Sequence, residues 1–208
     1  MPQFPEILCC FLHGQLYPAN ACDLQEIPFD ECPFYDSKLC IYNSTSLTFF
    51  APSDLSSIYS MCHEYIHSCS MWRNEGPCFD YVFVVTDPQA EGMRALDVTC
   101  VLCFFSFRYL QTVYPCAIIH RFNHVGDNPD EDMGMWIVCP SYLALCTHNI
   151  QNLAVIHVNM IYHAAHLIPI YSTHNINSRD VRLHCSYDMF HSFYVNKFAD
   201  HHTFEIAF

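Results

Sequence analysis

The chain has 208 residues, 52% of them hydrophobic and 15% aromatic, with 21 acidic against 8 basic side chains and a formal net charge of -13. That length supports one sizeable core without staples, and the composition excludes a disordered or low-complexity chain. The negative charge excludes tight binding to nucleic-acid phosphates by the chain as it stands.

Fourteen cysteines would fit a disulfide scaffold in a small secreted protein. The chain is not small, however, and the cysteine spacing is irregular. MPQFPEILCCFLHG at the N-terminus has no basic region and only a short apolar run, so it is a poor export signal. The most apolar window, ALDVTCVLCFFSF (Ala95–Phe107), contains an aspartate and falls short of the ~20 residues a membrane span needs. The expectation is a soluble intracellular chain with no membrane contact and mostly free thiols.

In chain order, KLCIYNSTSLTFFAPSD (Lys38–Asp54) reads as a short strand pair broken at Asn43-Ser44 and ending in a helix start. From about 53 to 69, Leu55, Ile58, Met61, Cys62, Tyr65, Ile66 and Cys69 recur at helical spacing, which predicts an amphipathic helix. Inside that span lies HEYIH, His63 to His67. On a helix, H-E-x-x-H puts two imidazoles one turn apart as zinc ligands, with the glutamate beside the metal-bound water. Helical phase sets His63 and His67 opposite the apolar stripe, toward solvent, and no third ligand at the extended spacing follows His67.

After Gly76-Pro77 the chain turns β-rich. FDYVFVVTD, LDVTCVLCFFSFRYL, VYPCAIIHRF, GMWIVCP and LAVIHVNMIY are short runs of β-branched and aromatic residues, spaced for a small curved sheet or barrel. Cys100 and Cys103 fall on opposite faces of such a strand, which spoils a zinc knuckle. Cys116, His120 and His124 read as strand residues with ordinary core histidines. GDNPDED (Gly126–Asp132) lacks the alternation and closing glutamate of a calcium loop. YHAAH predicts a helical turn, with His166 partly buried and His163 beside it. In the tail, Met189, Phe190, Phe193, Tyr194 and Phe198 share a helical face, predicting a closing helix whose last turn is capped by histidines of Asp200-His201-His202.

YPCAIIHRFNHVGDNPDEDMGMWIV, AVIHVNMIYHAAHLIPIY and FYVNKFADHHTFEIAF, together with YNSTSLTFFAPSD and YVFVVTDPQAEGMRALDV, resemble the C-terminal region of Plavaka-type transposases. These are CACTA-like DNA transposon proteins of mushroom-forming fungi. The resemblance runs from about residue 41 to residue 208, with the segments in the family's order. Where that family tends to read M-R-R-E-x-I-R, this chain has Met61, Cys62, His63, Glu64, Tyr65, Ile66 and His67. Where it tends to read D-V-A-R-V-x-x-F-F-S-F, this chain has Thr99, Cys100 and Cys103. Arginine becomes cysteine or histidine by single C-to-T changes in CpG-containing codons, as silenced transposons accumulate them. The 14 cysteines and 14 histidines against 8 lysines and arginines fit that decay. Phosphoryl transfer in such transposases belongs to an RNase H-like domain upstream of this region, so the resemblance implies a non-catalytic piece.

The expected fold is therefore α+β and mainly β: a small curved antiparallel sheet or SH3/BAH-like barrel, with an amphipathic helix in the N-terminal half and a closing C-terminal helix. Residues 1–78 form an N-terminal segment with the helix at about 53–69, and residues 79–208 form the β-rich core. The expected function is that of a degenerate, non-catalytic C-terminal module of a fungal DNA transposon protein, with no catalytic residues, cofactor or metal. Competing readings are a zinc-dependent hydrolase using His63, Glu64 and His67, and a small intracellular interaction module. For intact relatives the resemblance implies transposase subunits or DNA as partners, and a nuclear location.

Overall fold

Strands bury every second side chain, and this chain arranges that alternation into a nearly closed antiparallel sheet. The computed structural model describes residues 4–17, 32–51, 59–143, 150–171 and 189–208. Helix α1 (Phe4–Leu16) begins with Pro5, tolerated in a first turn, and buries Leu8, Phe11 and Leu12 at helical spacing. Strands β1 (Cys40–Tyr42), β2 (Ser44–Phe50), β3 (Met61–Trp72), β4 (Gly76–Phe79) and β5 (Tyr81–Val85) follow. The long hairpin β6 (Leu96–Tyr109) and β7 (Thr112–His124) turns on Leu110 and Gln111, with φ of 45° and 68°. Positive φ at both central residues matches the twist of a two-residue hairpin. Then come β8 (Ile137–Pro140), β9 (Tyr142–Leu143), β10 (Ile150–Gln151), β11 (Leu153–His157), β12 (Ile161–Ala165), β13 (Leu167–Pro169), β14 (Phe193–Val195) and helix α2 (His201–Ile206).

The main sheet runs β12-β5-β6-β7-β8-β14-β13, and its two outer strands are separated only by His166. One extended run thus supplies both edges: Ala165 pairs with Tyr81 on one side and Leu167 with Val195 on the other. The Asn196 N–H donates to the His166 carbonyl at 2.8 Å and continues the seam. Closing a sheet on itself removes the unpaired edges that invite aggregation.

A β-bulge between Val101 and Cys103 lets β6 serve three cores. Before it, Val98 and Cys100 face the barrel interior with Phe83, Phe122, Val138 and Phe193. Beyond it, Phe105 and Phe107 pack under α1 against Leu8, Phe11 and Leu12. The extra residue switches parity, so Val101 and Phe104 share the opposite face of the strand, in a third core with Val82, Val84 and Ile66. Ile66 ties the separate β2-β3-β4 sheet to the barrel; its complete burial contributes about 1.5–3 kcal/mol.

Several sequence expectations are corrected. The amphipathic helix at 53–69 is not formed over its second half: Met61–Trp72 is a strand, paired with β2 from Ser44↔His67 to Phe50↔Met61, and residues 53–58 lie outside those described. A spacing of four residues returns to the same face of a helix and of a strand, so Cys62 and Ile66 fitted either period. The strands around Asn43 do not pair with each other; β1 joins β6 and β2 joins β3. Phe193 and Tyr194 are not helical but form β14 between β8 and β13, and the closing helix is the later α2. The helical turn assigned to YHAAH falls earlier, at Val158–Met160, and His163 lies on β12.

Candidate functional site

Strand alternation turns Glu64 of β3 inward while His63 and His67 face the other way. At ~3.3 Å per residue the two imidazoles are about 13 Å apart along the strand, too far for one metal ion. Each has its own partner. His63 Nδ1 lies 3.2 Å from the Thr48 hydroxyl, and its ring is 4.9 Å from that of Tyr65. His67 Nδ1 lies 3.0 Å from Asp80 Oδ2, which also accepts the His67 backbone N–H at 2.7 Å. The geometry of a zinc hydrolase built on His63, Glu64 and His67 is therefore not formed, because its helix is a strand. Among the described residues no group of three or more His, Cys, Asp or Glu is arranged to hold a metal ion.

Glu64 instead meets His163 of β12. Its Oε1 lies 2.7 Å from His163 Nδ1 and accepts the Ala164 backbone N–H at 2.9 Å. On the opposite side of the ring, Nε2 lies 3.2 Å from Asp200 Oδ2. Asp200 is the N-cap of α2: its Oδ1 accepts the Thr203 N–H at 2.7 Å and its Oδ2 the Thr203 hydroxyl at 2.8 Å. This reverses the expectation for Asp200-His201-His202, which opens a helix rather than closing one. Three segments distant in sequence thus share one imidazole.

Only 4% of the His163 side chain is exposed. Burial by itself would push His163 down, but the hydrogen bond and charge of Glu64, followed by those of Asp200, outweigh it and hold the ring above its ordinary 6.5. For Asp200, burial would raise the pKa; the Thr203 hydrogen bonds and the His163 charge win and hold it below 3.8. The geometry favours the protonated ring, which donates from both nitrogens, to Glu64 and to Asp200; in that form His163 has no lone pair left for a substrate proton or a metal.

Beside it sits His202, 5% exposed, with neither ring nitrogen hydrogen-bonded among the described residues. Its ring stacks on Phe49 at 4.9 Å and lies 5.3 Å from that of His163. Burial, then the His163 charge, push its pKa below 6.5, so it is the neutral member of the pair. Phe49 also lies 4.5 Å from His163 and is the apolar wall against which both imidazoles pack.

These groups line one side of a cleft of about 890 Å³ between β3 and α2, with Cys62, His63, Phe198, His201 and Phe204 completing it. Sequence reasoning singled out His63, Glu64, His163 and Asp200 separately, and only the last three come together. His166 is exposed rather than partly buried. His120 is buried, as a core histidine, with Nε2 2.9 Å from the Ser141 carbonyl. Phe49 was missed, and His202 was read only as part of a helix cap rather than as a buried neighbour of His163; the D-x-x-T spacing of Asp200 and Thr203 was the one legible signal of the helix start. Comparison with protein-family models, curated proteins and solved structures finds no match to this chain.

Proposed function

We propose that the chain is a non-catalytic module derived from the C-terminal region of a Plavaka-type DNA transposon protein, decayed by loss of arginines and belonging to the nucleus. The observation that carries this reading is the occupation of His163 on both nitrogens. Among the described residues the most chemically suggestive cluster reads as a structural brace, not an acid–base pair with a vacant position. Ordered segments resembling that family, from about residue 41 to residue 208, supply the identity of the module.

The position of the altered residues supports the same reading. Cys62 and His63, at two places where the family tends to carry arginine, line the cleft between β3 and α2. In an intact relative that wall carries guanidinium groups suited to phosphate oxygens. In this chain a net charge of -13 opposes such contact. Sequencing the genomic locus tests the derivation. An adjoining transposase reading frame interrupted by stops and lying between inverted repeats is the expected result, and a solitary intact gene with introns and no such flank sinks the reading.

A further inference from the structure

We propose that α2 is an acid-released latch: protonation of buried His202 beside the His163 imidazolium undocks the helix from Phe49 and opens the cleft. This does not rest on the transposon reading. Nothing about it requires DNA or a partner protein.

The geometry makes His202 the vulnerable member. Its ring is stacked on Phe49, tilted against Tyr162 at 5.6 Å, and 5.3 Å from His163. A second positive charge there faces a first one across a contact closed to water, and each nitrogen lacks a hydrogen-bond acceptor. The charged and titratable groups on the elements packed on the helix include Arg94 of the short turn Gly92–Ala95 and Glu91 just before it. His163 and Tyr162 belong to β12, Glu64 and His63 to β3, and Asp200, His201 and Glu205 to its own segment. Glu205 and Asp200 draw its pKa up in part, and burial and the His163 charge outweigh them. Glu205 Oε2 stands 3.7 Å from Nδ1, beyond hydrogen-bond reach, and the Asp200 carboxylate is already committed to His163 and Thr203.

The sign follows from which state holds more protons. Docked, His202 binds its proton below 6.5, whereas a released His202 titrates near 6.5. Between those two values the released state carries the extra proton, so acidification weakens docking, by about tenfold per pH unit at the limit of one whole proton. His163 works in the opposite sense, because undocking α2 takes away Asp200, one of the groups that hold its pKa up; docked His163 is already charged below 6.5, so the His202 transition lies on the acid side of that gain. Asp200 acts only below 3.8, where its protonation removes the helix cap as well.

A reporter is built in. Buried Trp136 donates its indole N–H to the Phe208 carbonyl at 3.2 Å, just past the end of α2. Trp72, the other tryptophan, lies 5.0 Å from His67 and would report that histidine instead, so the experiment uses Trp72→Phe. Its indole emission, its amide exchange corrected for intrinsic pH dependence, and its His202 ring resonances are followed from about pH 8 to pH 5. The expected result is a red shift and faster exchange at Thr203, Phe204 and Ala207, both with the midpoint at which His202 titrates. Adding His202→Phe or His202→Gln abolishes the transition, and whichever variant folds at neutral pH decides. Flat emission and exchange down to about pH 5, a His202 midpoint displaced from the emission midpoint, or a transition surviving in the variants overturns the latch.

Discussion

Glu64 and His163 lie 99 residues apart in sequence and 2.7 Å apart in space, and the contact joins the outlying β2-β3-β4 sheet to the closing strand of the barrel. The same carboxylate oxygen accepts the Ala164 N–H, so the junction fixes backbone as well as side chain. Asp200 adds α2 to the same point. One imidazole therefore joins three elements from distant parts of the chain at a single point.

Removing one member of a buried ion cluster costs more than its favourable energy, because its partner is left charged and dry. Glu64→Ala should destabilise the chain by about 2–4 kcal/mol, reduced from the deepest cases because 19% of the Glu64 side chain is exposed. Glu64→Gln, which keeps an acceptor for Ala164, should cost less. Urea unfolding measures both. A loss below about 0.5 kcal/mol for Glu64→Ala would mean that the cluster does not brace the fold.

The two shifted members of the cluster predict opposite limbs of a pH profile. His163 is held above 6.5, so its contribution is complete below that value and is lost as pH rises through its folded pKa. Asp200 is held below 3.8, so its contribution is present above that value and is lost as pH falls through its folded pKa. Unfolding midpoints should pass through a maximum in the weakly acid to neutral range. His163→Gln should flatten the alkaline limb, and a limb unchanged in that variant would assign it to another group.

The strands of the barrel were legible because β-branched and aromatic runs such as YVFVV and LDVTCVLCFFSF have no competing helical stripe of useful length. Two of the misread segments share a different property. HEYIHSC and the FHSFYV region carry apolar residues three and four apart, a pattern that matches a helix face and also overlaps a strand face at every fourth position. What decided between them was long-range: β2 lies in register with β3, and β14 fills the gap between β8 and β13. The cluster was illegible for the same reason. No spacing in the chain records that residues 64, 163 and 200 converge, whereas the cap from Asp200 to Thr203 is local and leaves a local trace.

Gly92 predicts how tightly the chain beyond α2 is held. Its φ is +63°, and a Cβ there would stand 2.7 Å from the Phe208 carbonyl oxygen, which accepts the Met93 N–H at 3.3 Å and the Trp136 indole N–H at 3.2 Å. Gly92→Ala should cost about 1–3 kcal/mol and shift Trp136 emission to the red even at neutral pH. Unchanged emission would show that the Phe208 contact does not set the environment of Trp136.

Thiol reactivity should follow burial. Cys116 is 0% exposed, and burial pushes its thiol up to about 12, whereas Cys40 is exposed at the barrel rim. Alkylation of native protein near neutral pH should modify Cys40 early and spare Cys116 until the chain unfolds. Mass mapping of the modified peptides reads this directly. Early loss of Cys116 would place the β6–β7 core in exchange with an open form.

The proposed transposon origin puts arginines where Cys62, His63 and His67 now stand. If Cys62, His63 and His67 stand where a basic wall once stood, then Cys62→Arg, His63→Arg and His67→Arg together should create measurable affinity for duplex DNA at low salt, where the parent chain has none. Cys62 and His63 line the cleft, and His67 lies farther along β3 beside Asp80, so a new guanidinium at 67 would pair in part with that carboxylate. The gain should therefore come mainly from the first two positions. Each phosphate contact contributes a slope of about −0.9 to the dependence of log affinity on log salt, so a slope between about −1 and −2 is expected for the triple variant. Fluorescence anisotropy with a labelled duplex across a salt series measures it. A folded triple variant that binds no better than the parent at the lowest salt would remove DNA as the partner of this wall and favour a protein subunit in its place.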